Sequence, residues 1–231
     1  MKKIILYFII FIGFISCKEN TFAPAKNEYS FAYFPLDTGK TLEYKYTFIN
    51  IDVVAGFRDT SIWFFRDRIA EEVIDSLDYK LYRLVRKKRR SDTLPWEPAT
   101  VWGIRKYDRM LVRVEENIPY VIFQFPEKVK KTWDGNLYND LGEELYTYTA
   151  LNNNVTIGNT TFDSVMVITQ KNFKSLYTYQ FKEEKYAYGV GLISKTVYDV
   201  ESQPNHANIN LTLPIEERIT KGTIEFYELI P

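Results

Sequence analysis

Adjacent glutamates recur along the sequence and are the first residues whose chemistry is worth testing. The pairs are Glu71-Glu72, Glu115-Glu116, Glu143-Glu144, Glu183-Glu184 and Glu216-Glu217. Hydrolysis of a glycosidic bond needs two carboxyl groups that face one substrate across roughly 5–10 Å. Neighbouring residues of a β-strand point to opposite faces, so an adjacent pair in a strand cannot supply both groups. The pairs alone therefore predict no catalytic site.

Other catalytic and metal-binding patterns fail on the residues present. His206 is the one histidine, and no G-x-S-x-G elbow marks a serine nucleophile. A zinc site would have to combine that histidine with carboxylates. In the loop that starts at Asp134, the fifth, sixth and twelfth EF-hand positions hold Tyr138, Asn139 and Leu145, which do not fit calcium. We predict no catalytic residue, no metal site and no cofactor, and we expect a protein that is not an enzyme.

Cys17 is the one cysteine, and it follows a segment unlike the rest of the chain. Lys2 and Lys3 precede an apolar run over residues 4–12, the pattern of a secretory signal. The run is shorter than the roughly 20 apolar residues of a membrane-spanning helix. With Ser16 before Cys17, the segment resembles a lipobox, so we predict cleavage after residue 16 and acylation of Cys17. The alternative is a free buried thiol behind an uncleaved apolar helix.

Residues 17–30 are polar and unpatterned, and they are predicted to form a flexible, lipidated tether. Lys18-Glu19 resembles the short signal that sends lipoproteins of Bacteroidota-type bacteria to the outer face of the outer membrane. An arbitrary polar linker is the alternative. The prediction is an outer-membrane protein held by acyl chains, with surface exposure left open. The chain has 30 basic and 30 acidic residues, a balance that gives no general attraction to nucleic acid.

From residue 31 onward the dominant period is two, which predicts one antiparallel β domain over residues 31–231. Leu42, Tyr44, Tyr46 and Phe48 fall on one face of the first strand. Similar alternation occurs at Met110-Val112-Val114, Val121-Phe123-Phe125, Tyr146-Tyr148, Tyr177-Tyr179-Phe181 and Ile209-Leu211-Leu213. The expected fold is all-β, a strongly twisted antiparallel sheet that curves into a half-barrel or a barrel.

Turn signals separate these strands. Gly158-Asn159 predicts a two-residue hairpin. Lys182-Glu183-Glu184-Lys185 and Lys221-Gly222 are predicted turns, and residues 75–78 are predicted to turn between two strands rather than to continue a helix from Ile69. Phe34-Pro35 is echoed by Phe125-Pro126, a hint that two sub-sheets begin alike.

Two motifs carry a family resemblance. Residues 33–44, with Phe34-Pro35-Leu36, Gly39 and Tyr44, resemble the FPLxxGxxWxY opening of many uncharacterised Bacteroidota-type lipoproteins, with Leu42 where Trp is usual. Gly189-Val190-Gly191-Leu192 resembles their GVGL motif. The resemblance implies a curved half-barrel of the LolA/LolB type or a lipocalin-like barrel, and it implies no settled activity.

Three surfaces are candidates for binding. Trp96, between two prolines, could contact a partner or a sugar ring, or it could fold back over the sheet. Tyr44, Tyr46, Tyr146 and Tyr148 could line a cavity for an apolar ligand, or they could be ordinary core. The basic run that starts at Arg86 could bind phosphate-bearing molecules, although a solvated strand end is favoured.

These observations predict a non-enzymatic envelope lipoprotein that binds an apolar small molecule or an envelope protein. The alternative is an accessory subunit of an outer-membrane assembly that docks through Trp96 and a sheet edge. A glycan-active enzyme is the third hypothesis. A carrier should enclose a cavity of roughly 300–1,000 Å³.

Overall fold

A computed structural model of the chain describes residues 31–74, 79–202 and 210–231, and these form an all-β structure. Short 3-10 helices lie at Phe31–Tyr33 and Ile215–Glu217. The strands are β1 (Thr41–Asp52), β2 (Phe57–Ile74), β3 (Lys80–Arg89), β4 (Glu97–Lys106), β5 (Met110–Glu115), β6 (Ile118–Gln124), β7 (Thr132–Asp134), β8 (Leu145–Ile157), β9 (Thr160–Lys174), β10 (Thr178–Ala187), β11 (Gly191–Glu201) and β12 (Lys221–Leu229). No helix in the described ranges is long and apolar enough to cross a membrane.

The strands form one 12-stranded antiparallel sheet in the order β6-β5-β4-β3-β2-β1-β12-β11-β10-β9-β8-β7. Its two edge strands meet, because the Val121 N–H donates to the Gly135 carbonyl at 2.8 Å and the Trp133 indole N–H donates to the Val121 carbonyl at 2.7 Å. The sheet is therefore a nearly closed barrel. This confirms the predicted fold class and favours the barrel over the half-barrel.

The sheet consists of two meanders, β1–β6 and β7–β12, that are joined where β1 pairs with β12. Phe34 and Phe125 of the echoed motif precede β1 and β7 respectively. Both rings contact Phe123, with centroids 6.1 and 5.9 Å away. The echo thus marks the start of each meander.

Aromatic side chains fill one end of the barrel. Phe34 enters from the segment before β1 and lies 6.0 Å from the Tyr186 ring, which is itself 4.8 Å from Phe123. All three are buried, as are Ile168 and Ile193 on the neighbouring strands. We call this the plugged end.

Strand alternation places a smaller cluster on the outside of the barrel. Ile51, Val200 and Ile224 are buried there, away from the Tyr44 side of β1. Ile219 packs on this cluster from the segment before β12. The apolar residues of β1 are therefore divided between the inner and the outer face of the sheet, in keeping with the predicted period of two.

Several predicted turns and strands differ from the structure. Residues 182–185 lie inside β10, where Glu184 pairs with Arg113 and Lys195 of other strands and Glu183 pairs with Lys185. Lys221-Gly222 starts β12 and pairs with β1 and β11. Leu211 is exposed in an irregular segment rather than in a strand, since it pairs with no neighbour. The Gly158-Asn159 hairpin is confirmed, whereas residues 75–78 and Ile209 lie outside the described residues.

Candidate functional site

Below the plugged end, the barrel interior contains an ionic cluster. Arg113 on β5 donates through Nη2 to Glu184 Oε1 of β10 at 3.0 Å and through Nε to Glu115. Lys195 Nζ lies 3.7 Å from the same Glu184 oxygen. The Glu184 side chain is fully buried. With Lys182, these residues form what we call the ionic cluster: Arg113, Glu115, Lys182, Glu184 and Lys195.

Neutral side chains complete the hydrogen bonding of Glu184. The Tyr186 hydroxyl donates to Glu184 Oε2 at 2.5 Å, and the Gln170 amide donates to the same oxygen at 3.0 Å. A buried carboxylate is tolerated only when such donors and cations replace its water. Glu184 thus has a complete set of donors from three strands.

A second buried pair lies beside the cluster. Arg86 on β3 makes a bidentate contact with Asp67 on β2, at 2.7 and 2.6 Å. The Arg86 guanidinium also lies 4.0 Å above the Trp102 ring, and Arg113 lies 5.5 Å from the same ring. Both guanidinium groups therefore lie near the same indole ring. Charged side chains fill the centre of the barrel.

The tyrosines predicted to line a ligand cavity mostly belong to the core. Tyr44, Tyr146 and Tyr148 are each at most 2% exposed. The Tyr44 hydroxyl donates to the Leu192 carbonyl at 3.0 Å, and the Tyr148 hydroxyl bonds the backbone of Gln124. The hydroxyls of Tyr44 and Tyr148 are satisfied within the protein, and Tyr146 is buried, so Tyr146 and Tyr148 are not available to a ligand.

Tyr46 differs from the other three because it is only half-buried. Its ring lies 4.4 Å from Tyr227 and 5.3 Å from Phe65, and those two rings are 5.8 Å apart. Burial and the neighbouring Tyr227 and Glu225 raise the pKa of Tyr46. This aromatic wall faces the same interior as the ionic cluster.

The enclosed space is too small for an apolar ligand. The cavity beside Tyr44, Asp67 and Arg86 measures about 40 Å³. This is room for a few water molecules and far below the roughly 300–1,000 Å³ of a typical ligand pocket. Charged and aromatic side chains fill this part of the interior, so the cavity beside Tyr44 is not the ligand pocket that the tyrosine pattern predicted.

A larger pocket opens further from the plugged end. It measures about 270 Å³. Lys182 is four residues before Tyr186 on β10, which places it about 13 Å further along the strand. We call this space the mouth pocket; its lining residues are Glu144, Lys171, Gln180, Phe181, Lys182, Val197, Tyr198 and Asp199.

Lys182 is the cation of the mouth pocket that forms no ion pair with a described carboxylate. Lys171 pairs with Glu144 at 2.8 Å, and Gln180 donates to Asp199 at 3.1 Å. Among the described residues, no carboxylate forms an ion pair with Lys182, whose ammonium lies 5.9 Å from the Tyr120 ring. Burial, together with the positive charge of Lys195, lowers the pKa of Lys182 to about 8.

The two carboxylates of the ionic cluster are unsuited to donate protons. Burial by itself would raise the pKa of Glu184, but Arg113, Lys195 and Lys182 hold it well below its ordinary value. For Glu115 the same opposition between burial and Arg113 also lowers the pKa. A glycosidase acid needs a raised pKa instead. The pair Glu115 and Glu184 therefore lacks the general acid of that chemistry.

The basic run is divided between the two faces of β3. Arg86 points inward to Asp67, whereas Lys87 and Arg89 point outward. Since β3 lies between β2 and β4, the run does not protect a sheet edge. The favoured interpretation as a solvated strand end is therefore wrong for Arg86, which is buried by its pair with Asp67.

Trp96 lies on the outer face between two guanidinium groups. Arg66 and Arg89 are each 4.3 Å from the centroid of a Trp96 ring. Arg66 is in turn fixed by a 2.6 Å ion pair with Glu43. The indole is half-buried and folded onto the sheet, so it is not a free contact surface.

Larger grooves also occur on the outside. One, of about 530 Å³, runs over Arg66, Arg68 and Lys87, and another, of about 610 Å³, lies beside Phe162 and Val190. The charge of Arg66 is already compensated by Glu43. Neither groove is lined by a half-buried cation without an ion pair, whereas the mouth pocket is lined by Lys182.

Sequence reasoning did not place four residues in the interior: Arg86, Arg113, Lys182 and Glu184. Arg113 stands in Leu111-Val112-Arg113-Val114, where a charge among apolar residues was a usable signal. Glu184 has partners on other strands, and Arg113 lies 71 positions away in the sequence, so no local pattern predicts the contact. Cys17, Lys18, Glu19 and His206 lie outside the described residues.

Comparison with known proteins gives distant structural matches. No family model and no curated protein matches the sequence. A presumed exported protein of Bacteroides fragilis with a YmcC-like fold is 8% identical, with a TM-score of 0.45, over 85% of this chain and 96% of that chain. A presumed lipoprotein of Parabacteroides distasonis is 12% identical, with a TM-score of 0.37, over the same shares. Similarities this distant carry no ligand or activity over to this chain.

Proposed function

We propose that this chain is a lipid-anchored protein of the bacterial outer membrane that acts as a binding module without catalysis. The anchor is Cys17, supported by the signal pattern and by the absence of any other cysteine from the sequence. Two or more acyl chains on that residue would hold the protein stably, because a single chain binds a membrane only marginally.

Anchoring is tested by replacing the acylated thiol. Cys17→Ser should leave the chain unprocessed by lipidation, and the variant should move from the membrane fraction to the soluble or secreted fraction. Wild type and Ser16→Ala, which keeps the thiol, serve as controls. A Cys17→Ser protein that still fractionates fully with the membrane would contradict the anchor.

The mouth pocket is the proposed binding site. The observation that supports it is the contrast between the 40 Å³ interior cavity and the open 270 Å³ pocket beside Lys182. The ligand is therefore a polar molecule and not an acyl chain, which would have to displace the ionic cluster. This replaces the apolar ligand expected from the tyrosine pattern.

Filling the pocket tests this assignment. Val197 lines the mouth pocket, while Thr196, its neighbour on β11, points to the other face of the sheet. Ligand-observed NMR with a panel of sugars, amino acids and small carboxylates should give ligands that bind wild type and Thr196→Trp but not Val197→Trp. Ligands that bind all three proteins equally would place the site elsewhere, and a panel without ligands would contradict the binding role.

The accessory-subunit alternative has less support. It required a free Trp96 and a free sheet edge, but the two arginines cover the indole, and the edges of β6 and β7 hydrogen-bond to each other. A protein partner would have to use another surface.

A further inference from the structure

We propose that the mouth pocket binds a sugar-like molecule that bears a negatively charged group, with that group paired to the Lys182 ammonium. This inference deepens the function proposed above and rests on it. It names the class of ligand, which the pocket volume alone does not specify.

The ion pairs of the cluster leave Lys182 free to meet an anion. Within the ionic cluster, Arg113, Lys182 and Lys195 face two carboxylates, Glu115 and Glu184. Arg113 contacts both glutamates and Lys195 contacts Glu184, so Lys182 is the cation of this cluster that has no ion pair. A bound anion would supply one.

The position of Lys182 makes it accessible to such a ligand. Its side chain lines the mouth pocket, whereas Glu184, two residues later on the same strand, is fully buried. A half-buried amine that is partly desolvated and repelled by a neighbouring lysine is less stable in its charged form, and groups of this kind concentrate at functional sites. At neutral pH the amine is still mostly protonated, because its pKa is about 8. It is therefore available as a cation.

The rest of the pocket suits hydroxyl groups. Asp199 accepts from Gln180 on the wall next to Lys182, and its carboxylate has room to accept from a ligand hydroxyl. A cation inside the pocket and acceptors at its wall together match an acidic sugar.

The anionic group could be a carboxylate or a phosphate ester, and three probes distinguish these. The lipidated mature protein, in a neutral detergent, is titrated calorimetrically with glucuronate, glucose 6-phosphate and glucose. We expect at least one of the two anionic sugars to bind tenfold or more tightly than glucose. The anionic sugar that binds more tightly shows whether the pocket prefers a carboxylate or a phosphate ester. Equal affinity for all three sugars, or no binding by either anionic sugar, would overturn the inference.

Lys182→Met removes the charge and keeps most of the side-chain volume. Its control is Lys185→Met, since Lys185 lies on the opposite face of β10 and pairs with Glu183 at 3.3 Å. The anionic sugar should lose at least tenfold in affinity for Lys182→Met and should keep its affinity for Lys185→Met. If glucose binds and is blocked by Val197→Trp while Lys182→Met changes nothing, the binding role stands and the ligand class is wrong.

A measurement on the wild-type protein covers the case in which Lys182→Met misfolds. Reductive methylation with ¹³C-formaldehyde labels the lysine amines for NMR. The Lys182 signal should titrate near pH 8, and the anionic sugar should shift that titration to higher pH because a nearby anion favours the charged amine. An unchanged titration in the presence of saturating sugar would contradict the pairing.

Discussion

The Arg113 guanidinium lies 3.0 Å from Glu184 Oε1 in the centre of the barrel, and the two residues are 71 positions apart in the sequence. This ion pair crosses between the two meanders, since Arg113 belongs to β5 and Glu184 to β10. It holds the polar centre of the barrel together, with Glu115 and Lys195 as further partners. The interior is thus organised by charge as well as by apolar packing.

Arg113→Met should strongly destabilise the fold. Removal of the guanidinium leaves Glu184 buried beside Glu115, and breaking a buried pair in this way costs about 3–5 kcal/mol. The free energy of unfolding is measured by urea denaturation. Arg83→Met is the control, because Arg83 pairs with Glu71 at the surface, where a pair contributes at most about 1 kcal/mol. Similar losses for the two variants would show that the buried pair is not special.

Acid should weaken the barrel through Glu184. The pKa of Glu184 is lowered in the folded protein: burial opposes the shift, and Arg113 outweighs it. The stability it contributes is therefore fully present above the unfolded pKa of about 4.3 and is lost as the pH falls through the folded-state pKa. The wild type should unfold with a higher free energy than Glu184→Gln at pH 7. Urea denaturation between pH 7 and pH 3 should show this difference becoming smaller below about pH 4.3.

The control for this pH series is Glu183→Gln, on the opposite face of β10, which leaves the Arg113 pairs intact. A gap between wild type and Glu184→Gln that stays constant down to pH 3 would contradict a lowered pKa at Glu184.

Sequence periodicity predicted the sheet well because each strand has one buried face. Tyr44 and Tyr146 are inward where alternation placed them, and the Gly158 hairpin follows from local turn chemistry alone. Closure into a barrel was not predictable in the same way. Closure depends on the hydrogen bond between Val121 and Gly135, and these residues are not joined by a tight hairpin turn that a local sequence pattern would reveal.

The candidate site was largely hidden because its charges look like surface residues in sequence. Lys182 to Lys185 resemble a turn, yet Glu184 is buried by Arg113 and Lys195 from other strands. The basic run likewise looked solvated, although alternation sends Arg86 to Asp67 in the interior. A charged residue reveals its burial only when its cross-strand partner is known.

Gly135→Ala should destabilise the seam between β6 and β7. A Cβ atom at this position would overlap the Tyr146 ring, which is buried in the core. Overpacking of this kind costs about 1–3 kcal/mol. Thermal unfolding by circular dichroism measures the effect. Gly103→Ala is the control, since its Cβ would meet Leu81 at an ordinary 3.5 Å. Equal melting temperatures for the two variants would contradict tight packing at Gly135.

Trp96→Ala should lower stability and leave sugar binding unchanged. The indole contacts Arg66 and Arg89, and each cation–π contact at a partly exposed site contributes about 0.5–1 kcal/mol. We expect a loss of about 1–2 kcal/mol in the free energy of unfolding, measured by urea denaturation. Leu94→Ala, in the same loop and 49% exposed, should lower the free energy of unfolding much less.

The affinity for the anionic sugar should be the same for both variants, because Trp96 lies on the outer face of the sheet. A Trp96→Ala variant with unaltered stability but weaker sugar binding would indicate that the indole contacts the ligand.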